Sequence, residues 1–469
     1  MMRVLFFWTS VVVFFSGCKM LNPQRANIAV LYNQSAQDHG PDRNPIIVIP
    51  GILGSKLVDD ATGKMVWGAF SREAAHPKKP EDARSLALPM RLGVALVDLK
   101  DSTLSDGALD RLKVSLWLAS VQPKAYAQLL ATLGAGGYRD SALGESGEID
   151  YGNDHYTCFQ FDYDWRRSCA ENARLLSEFI EEKRSYVTRE REKRFGPSSK
   201  PVRFDVVAHS MGGLVARYYL RYGGQALPAD GSLPNLNWAG AKEIEKLVLV
   251  ATPNAGSAES LLNLNEGMTW PLLADYDAAL LGTMPAIYEL LPRARHGVVS
   301  DASTRKAVDL MSLETWEKYQ WGMLADGQAA NLERLLPAIK SEQQRREVAM
   351  DHIAKSLVNA KRFHAALDRP AELPDGTHLT LFAGDSVATD SELLVDSSGL
   401  KISKKEAGDG TVARYSALMD ERKGHEFTRN LITPIDWDNV TFLFESHLGL
   451  TKNPEFADNL LYLLLEEPR

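Results

Sequence analysis

The stretch Arg203–Tyr222, RFDVVAHSMGGLVARYYLRY, decides the reading of this chain. Arg203 to Ala208 is a short apolar run of the kind that makes a buried parallel strand. It breaks off at Ala208-His209-Ser210-Met211-Gly212-Gly213, and a helix-period stretch, Leu214 to Tyr222, follows. In a strand, tight turn and helix of this kind, a serine stands with its hydroxyl above the C-terminal edge of the sheet. Small residues two before and two after it let strand and helix pass closely. Here they are Ala208 and Gly212. The usual pattern has glycine at the first of these places, and alanine adds one methyl group. The turn reads as a variant nucleophile elbow with Ser210 as the nucleophile.

Outward from this unit, further buried-strand runs occur at Pro45 to Ile49, Tyr156 to Phe161, Lys246 to Ala251, His378 to Asp385 and Val440 to Phe444. Helix patterns cover Lys124 to Leu133, Glu171 to Arg194 and Pro454 to about Glu466. Strands alternating with helices predict an α/β fold, a mostly parallel sheet covered on both faces. Trp67 to Asp110 reads as irregular, and from Ser257 to Pro374 the strand signal vanishes. A long insertion between sheet strands is usually functional, so 257–374 is expected to be a cap over a core made of 45–256 and 375–469.

With 469 residues, 45% of them hydrophobic and 24% charged, the chain can bury a large core and is not disordered. Its net charge of −8, with no basic stripe, gives no support to nucleic-acid binding. At the N-terminus, Arg3 precedes an apolar run, Val4 to Ser16, of signal-peptide length. It ends in Phe15-Ser16-Gly17-Cys18, which resembles a bacterial lipobox. The expectation is a signal peptide over 1–17, a lipid on Cys18, a polar tether to Asn44 and, from Lys19, an outer-membrane lipoprotein. Cys158 and Cys169 could be bridged in an oxidising compartment.

A serine hydroxyl needs a base within hydrogen-bond reach, itself oriented by a carboxylate. The order Ser, Asp or Glu, His is that of α/β-hydrolases. Two aspartates compete: Asp385 directly ends a strand, and Asp409 sits in a Gly-Asp-Gly turn. His447 follows the last strand and is the expected base. His425 lies in a charged loop, and His209, next to Ser210 on an extended strand end, should point away from it. One oxyanion donor comes from the loop after an early strand, here the backbone N–H of Ile52; the residue after the nucleophile, Met211, supplies the second.

Together Pro50-Gly51-Ile52-Leu53-Gly54-Ser55, Tyr163-Asp164-Trp165-Arg166, Ala208-His209-Ser210-Met211-Gly212-Gly213, Gly408-Asp409-Gly410-Thr411-Val412 and Ser446-His447-Leu448-Gly449 resemble the lecithin:cholesterol acyltransferase family. The motifs stand in the family's order over nearly the whole chain. The resemblance implies an α/β-hydrolase fold with a cap, the triad Ser210, Asp409 and His447, and acyl chemistry on lipids or other fatty-acyl esters. Two features depart from the family: Ala208 replaces its usual glycine, and Trp67 to Leu88 holds no cysteine pair. Tyr163 to Arg166 is expected to be structural rather than a substrate contact. No metal-ligand spacing is present, so catalysis without metal or organic cofactor is expected. The rival readings are a catalytically silent hydrolase-fold lipoprotein that binds a ligand or partner, and a peptidase or amidase using the same three residues.

Overall fold

The computed structural model describes residues 27–468, except 71–73, 109–112, 117–118, 122–125, 153, 199, 270–274 and 426–427. Cys18 and the signal segment lie outside the described residues. Six strands form the main sheet: β1 (Ile46–Ile49), β2 (Cys158–Gln160), β3 (Phe204–His209), β4 (Ile244–Val250), β5 (His378–Gly384) and β6 (Asn439–Leu443). Their spatial order is β6-β5-β4-β3-β1-β2, and every pair is parallel. Four longer helices matter below: α1 (Cys169–Phe195), α2 (Met211–Tyr222), α3 (Glu342–Asp368) and α4 (Pro454–Leu465).

The strands are near-continuous apolar runs because both faces of the sheet are covered. Side chains alternate between faces along each strand. Ile46, Val48, Val207, Val248 and Phe382 pack with Leu129 and Leu133 of the helix Ala127–Ala135 and with Phe456 and Leu460 of α4. The opposite residues, Ile47, Ile49, Val206, Ala208 and Leu249, join the larger core with α1 and α2. In register, Ile49 faces Ala208 and Ala208 faces Leu249. All twelve residues of α2 are buried, so the helix behind Ser210 is fixed on every side.

Several stretches differ from the sequence expectation. Trp67 to Asp110 is not irregular throughout. Thr103–Ala108 and Met65–Trp67 flank Ser55–Asp59 in a small antiparallel sheet, and Pro80–Leu86 is helical. Their alternation is short and charged, which masks the strand period. The strand-free segment 257–374 contains Val299–Asp301, parallel to Val387–Asp396. That strand and Gly399–Gly408 form a hairpin inserted after β5. Lys401, Lys404 and Lys405 cover its outer strand, which keeps an exposed edge from pairing with other chains.

The segment 27–44, expected as a tether, is docked from residue 27 onward. Tyr32 is buried, and its hydroxyl donates to Asp458 Oδ1 at 2.7 Å. Cys158 and Cys169 are both buried and unbridged. Burial holds both thiols well above their usual range, so neither presents a thiolate. Within 257–374, α3 lies on α2: Phe363 stacks on Tyr218 with centroids 5.7 Å apart, and Tyr222 donates to Ala366 O. Among the described residues no helix is long and apolar enough to cross a membrane.

Candidate active site

Ser210 stands at the N-terminus of α2 with φ 52° and ψ −127°, a conformation that non-glycine residues rarely adopt. Both ends of the turn are held, Ser210 N–H donating to Val250 O at 2.8 Å and Gly213 N–H to Ser210 O at 3.0 Å. Close approach explains the small residues nearby. A Cβ on Gly212 would sit 2.3 Å from Pro50 O, and one on Gly51 would sit 2.7 Å from Ser210 Cβ. The strand, the helix and the turn at Gly51 therefore meet at backbone contact distance.

His447 Nε2 lies 2.9 Å from Ser210 Oγ, and His447 Nδ1 lies 2.8 Å from Asp409 Oδ2. The other carboxylate oxygen of Asp409 accepts from Thr411 N–H at 3.0 Å and Val412 N–H at 2.7 Å. Asp409 is thus aimed by its own turn, and its carbonyl accepts His447 N–H at 2.9 Å. Asp385 bonds Arg414 Nη1 at 2.8 Å instead. The hairpin explains why spacing could not choose between them. The chain leaves the sheet at Gly384 and returns beside it, so that a Cβ on Gly384 would fall 2.6 Å from Asp409 Cβ. Asp409 occupies the place that a residue straight after β5 would otherwise fill. His425 is exposed in a separate turn.

Ile52 belongs to a turn closed by Gly54 N–H to Gly51 O at 3.0 Å, with Leu53 at φ 63°. The N–H groups of Ile52 and Met211 have no acceptor among the described residues. One is in the loop and the other opens α2, where the helix dipole favours negative charge. The Tyr163 to Arg166 motif supports this loop from below. Tyr163 Oη donates to Pro50 O at 2.8 Å and Trp165 Nε1 donates to Ser55 O at 3.2 Å. These are structural contacts, as expected, but Trp165 also lines the cavity described below, so the motif is not structural alone.

His209 points away from Ser210, as strand alternation requires. Its Nε2 lies 3.1 Å from His447 O, and its Nδ1 lies 3.0 Å from Tyr126 Oη, which also accepts Gly51 N–H at 2.8 Å. Burial, reinforced by neighbouring His447, pushes His209 down to about 3, so its ring is neutral. Tyr126 went unmarked in the sequence reading, because a tyrosine just ahead of a helix carries no motif.

These groups open on a cavity of about 600 Å³, within the usual range for small-molecule sites. Its apolar wall includes Leu53, Trp67, Trp165, Leu281, Ile287 and Leu290. The last three come from 257–374, while Leu280, Met284 and Tyr288 of the same segment sit in the main core. Glu259 also lines the cavity, and burial holds its carboxyl above the usual range. A serine hydroxyl, an imidazole and a carboxylate in one hydrogen-bonded line beside an apolar cavity, with two nearby N–H groups that have no acceptor among the described residues, can together support acyl transfer.

Comparison with known proteins agrees with this geometry. The lecithin:cholesterol acyltransferase family model matches residues 141–353, which includes Ser210 and bears out the resemblance read from the motifs. It stops short of Asp409 and His447. A search of curated proteins finds no match. Among solved structures, the Tle4-Tli4 complex superposes with a TM-score of 0.53 at 15% identity, covering 91% of this chain and 98% of that one. The fold is that of an α/β-hydrolase. Lipase 1 from Pelosinus fermentans gives a TM-score of 0.34 at 10% identity, covering 91% of this chain and 99% of that one. Phospholipase PlaB from Legionella pneumophila gives 0.22 at 14%, covering 56% and 36%. The last two superpose too loosely to add to the argument.

Proposed function

We propose that this protein is a serine esterase of acyl lipids that works through an acyl-serine intermediate, held at a bacterial envelope membrane by a lipid on Cys18. Ser210 Oγ attacks the ester carbonyl as His447 Nε2 takes its proton. Asp409 stabilises the imidazolium, and the N–H groups of Ile52 and Met211 bind the oxyanion. Collapse breaks the ester bond, and the leaving alcohol takes the proton from His447. Water or a second alcohol, deprotonated by His447, then releases the acyl group and regenerates Ser210.

The observation that carries this reading is the continuous hydrogen-bonded line from Asp409 through His447 to Ser210, ending on an apolar cavity. The family match supports lipid esters as the substrate class. The test begins with a fluorophosphonate probe on purified protein, which should label Ser210. Mixed phospholipids, neutral glycerides and a long-chain alcohol are then supplied together and the products read by mass spectrometry. Free fatty acid identifies a lipase or phospholipase, and a new ester identifies an acyltransferase. Wild-type protein that takes no label would sink the proposal.

A further inference from the structure

Ser210 is held by a strand and a fully buried helix, whereas His447 and Ile52 sit in turns. His447 lies in the turn that follows β6, between Phe444 at 84% exposure and Leu448 at 49%. Ile52 lies in the tight turn after β1. A serine triad works only if base, nucleophile and oxyanion donors keep their spacing, and an error of about 1 Å can cost roughly 100-fold in rate.

The hydrogen bonds around His209 connect these two turns. A carbonyl oxygen only accepts, so His209 Nε2 carries the ring proton and donates it to His447 O. Nδ1 of the neutral ring is then the acceptor, and Tyr126 Oη donates to it while accepting Gly51 N–H. Proton directions agree along the whole line, from Gly51 through Tyr126 and His209 to the carbonyl of His447. His447 is gripped at both ends of its backbone, by Asp409 O at its N–H and by His209 at its carbonyl. The two imidazoles lie 4.9 Å apart, and neither nitrogen of His209 is left to accept the serine proton.

We infer that Tyr126 and His209 form a positioning relay that sets the oxyanion loop at Gly51 against the general base His447. The relay rests on the serine-esterase reading and adds two residues to it, neither of which touches the reacting atoms. Tyr126→Phe removes one oxygen and leaves the ring packing intact. It should lower kcat about 10- to 100-fold while KM stays within about threefold. His209→Gln carries an amide N–H near the place of ring Nε2, and His209→Asn carries an amide oxygen near Nδ1. Gln, which keeps the bond to His447, should retain more kcat than Asn, and Asn more than Leu. Tyr126→Phe combined with His209→Leu should cost little more than His209→Leu alone, because the same line is already cut.

The experiment measures kcat and KM on a soluble p-nitrophenyl ester for the full-length wild type and these variants, with circular dichroism as the fold control. It starts from fluorophosphonate labelling of wild-type Ser210, so that failure of the esterase reading is seen first and separately. With labelled wild type in hand, a folded Tyr126→Phe with unchanged kcat would overturn the relay. So would a loss confined to KM, or strictly additive losses in the double variant. If His209→Leu does not fold, Tyr126→Phe with the Gln and Asn variants carries the test.

Discussion

Two constellations of polar side chains lie on either side of the oxyanion loop, and they differ in what they leave unused. Beneath it, Arg166 is fully buried and all its nitrogens are committed. Nε and Nη2 reach Asp164, Nη2 also reaches Asp101 at 2.7 Å, and Nη1 reaches the carbonyls of Ser85, Leu86 and Ala87. Above it, Ser210 Oγ bonds His447, and the Ile52 and Met211 amides have no acceptor among the described residues. A knot with every valence closed holds structure together. A cluster with unengaged donors beside an apolar cavity has hydrogen bonds left to offer a substrate. Residue types alone do not separate the two, since both combine aspartate with a cationic or polar partner.

This contrast can be tested by removing one group from each side. Ser210→Ala should show the largest effect, a loss of p-nitrophenyl ester turnover of about 10⁴-fold or more, with thermal unfolding nearly unchanged. Retained turnover would take Ser210 out of the chemistry. Next, Asp409→Asn should lower kcat by about 10³- to 10⁴-fold. Asp385→Asn, which disturbs an ion pair with a half-exposed arginine, should stay within a few-fold. The opposite ranking would return the acid to Asp385.

Arg166→Leu should invert the pattern. Taking the buried guanidinium from Asp164 and Asp101, which then keep only Arg167, and leaving the carbonyls of Ser85, Leu86 and Ala87 without their donor costs about 3 kcal/mol in urea denaturation, while the folded fraction keeps its kcat within a few-fold. A kcat that collapses at unchanged stability would place the knot inside the active site.

The smallest effect concerns Glu289, whose carboxylate caps the start of α1 through Ser168 Oγ at 2.6 Å and Cys169 N–H at 2.7 Å. Burial pushes Glu289 from 4.5 up to about 7. A raised carboxyl binds its proton more tightly when folded, so its contribution is complete below about pH 4.5 and is lost as pH rises through about 7. Wild type should therefore lose up to roughly 3 kcal/mol relative to Glu289→Gln across that window. Buried His352 and His364 titrate in the opposite sense, which is why the difference between the two proteins is the quantity to read. A flat difference would mean that Glu289 titrates as an ordinary carboxylate.

How much of this could be read without coordinates depended on how local each signal is. The Ser210 turn was legible because a buried strand, a serine between small residues and a helix are consecutive. Helices such as α1 and α4 were legible from length and periodicity. His447 followed from its place after the last strand. Asp409 required the family resemblance, because its position against Gly384 is made by an intervening hairpin whose outer strand is mostly exposed and charged. The sheet around Ser55–Asp59 escaped for a similar reason, its strands being short and half-polar. Tyr126 and the closed valences of Arg166 escaped because hydrogen-bond partners far apart in sequence leave no periodic trace.

The hairpin has a practical consequence of its own. Since Gly384 and Asp409 touch, the excursion between them is a side branch whose tip, the exposed pair Ser397 and Ser398, hangs free of the catalytic corner. Lengthening a flexible loop adds only a slowly growing entropy. An affinity peptide or a fluorophore-bearing segment spliced between those serines gives a handle for immobilising or imaging the enzyme while its working end stays clear.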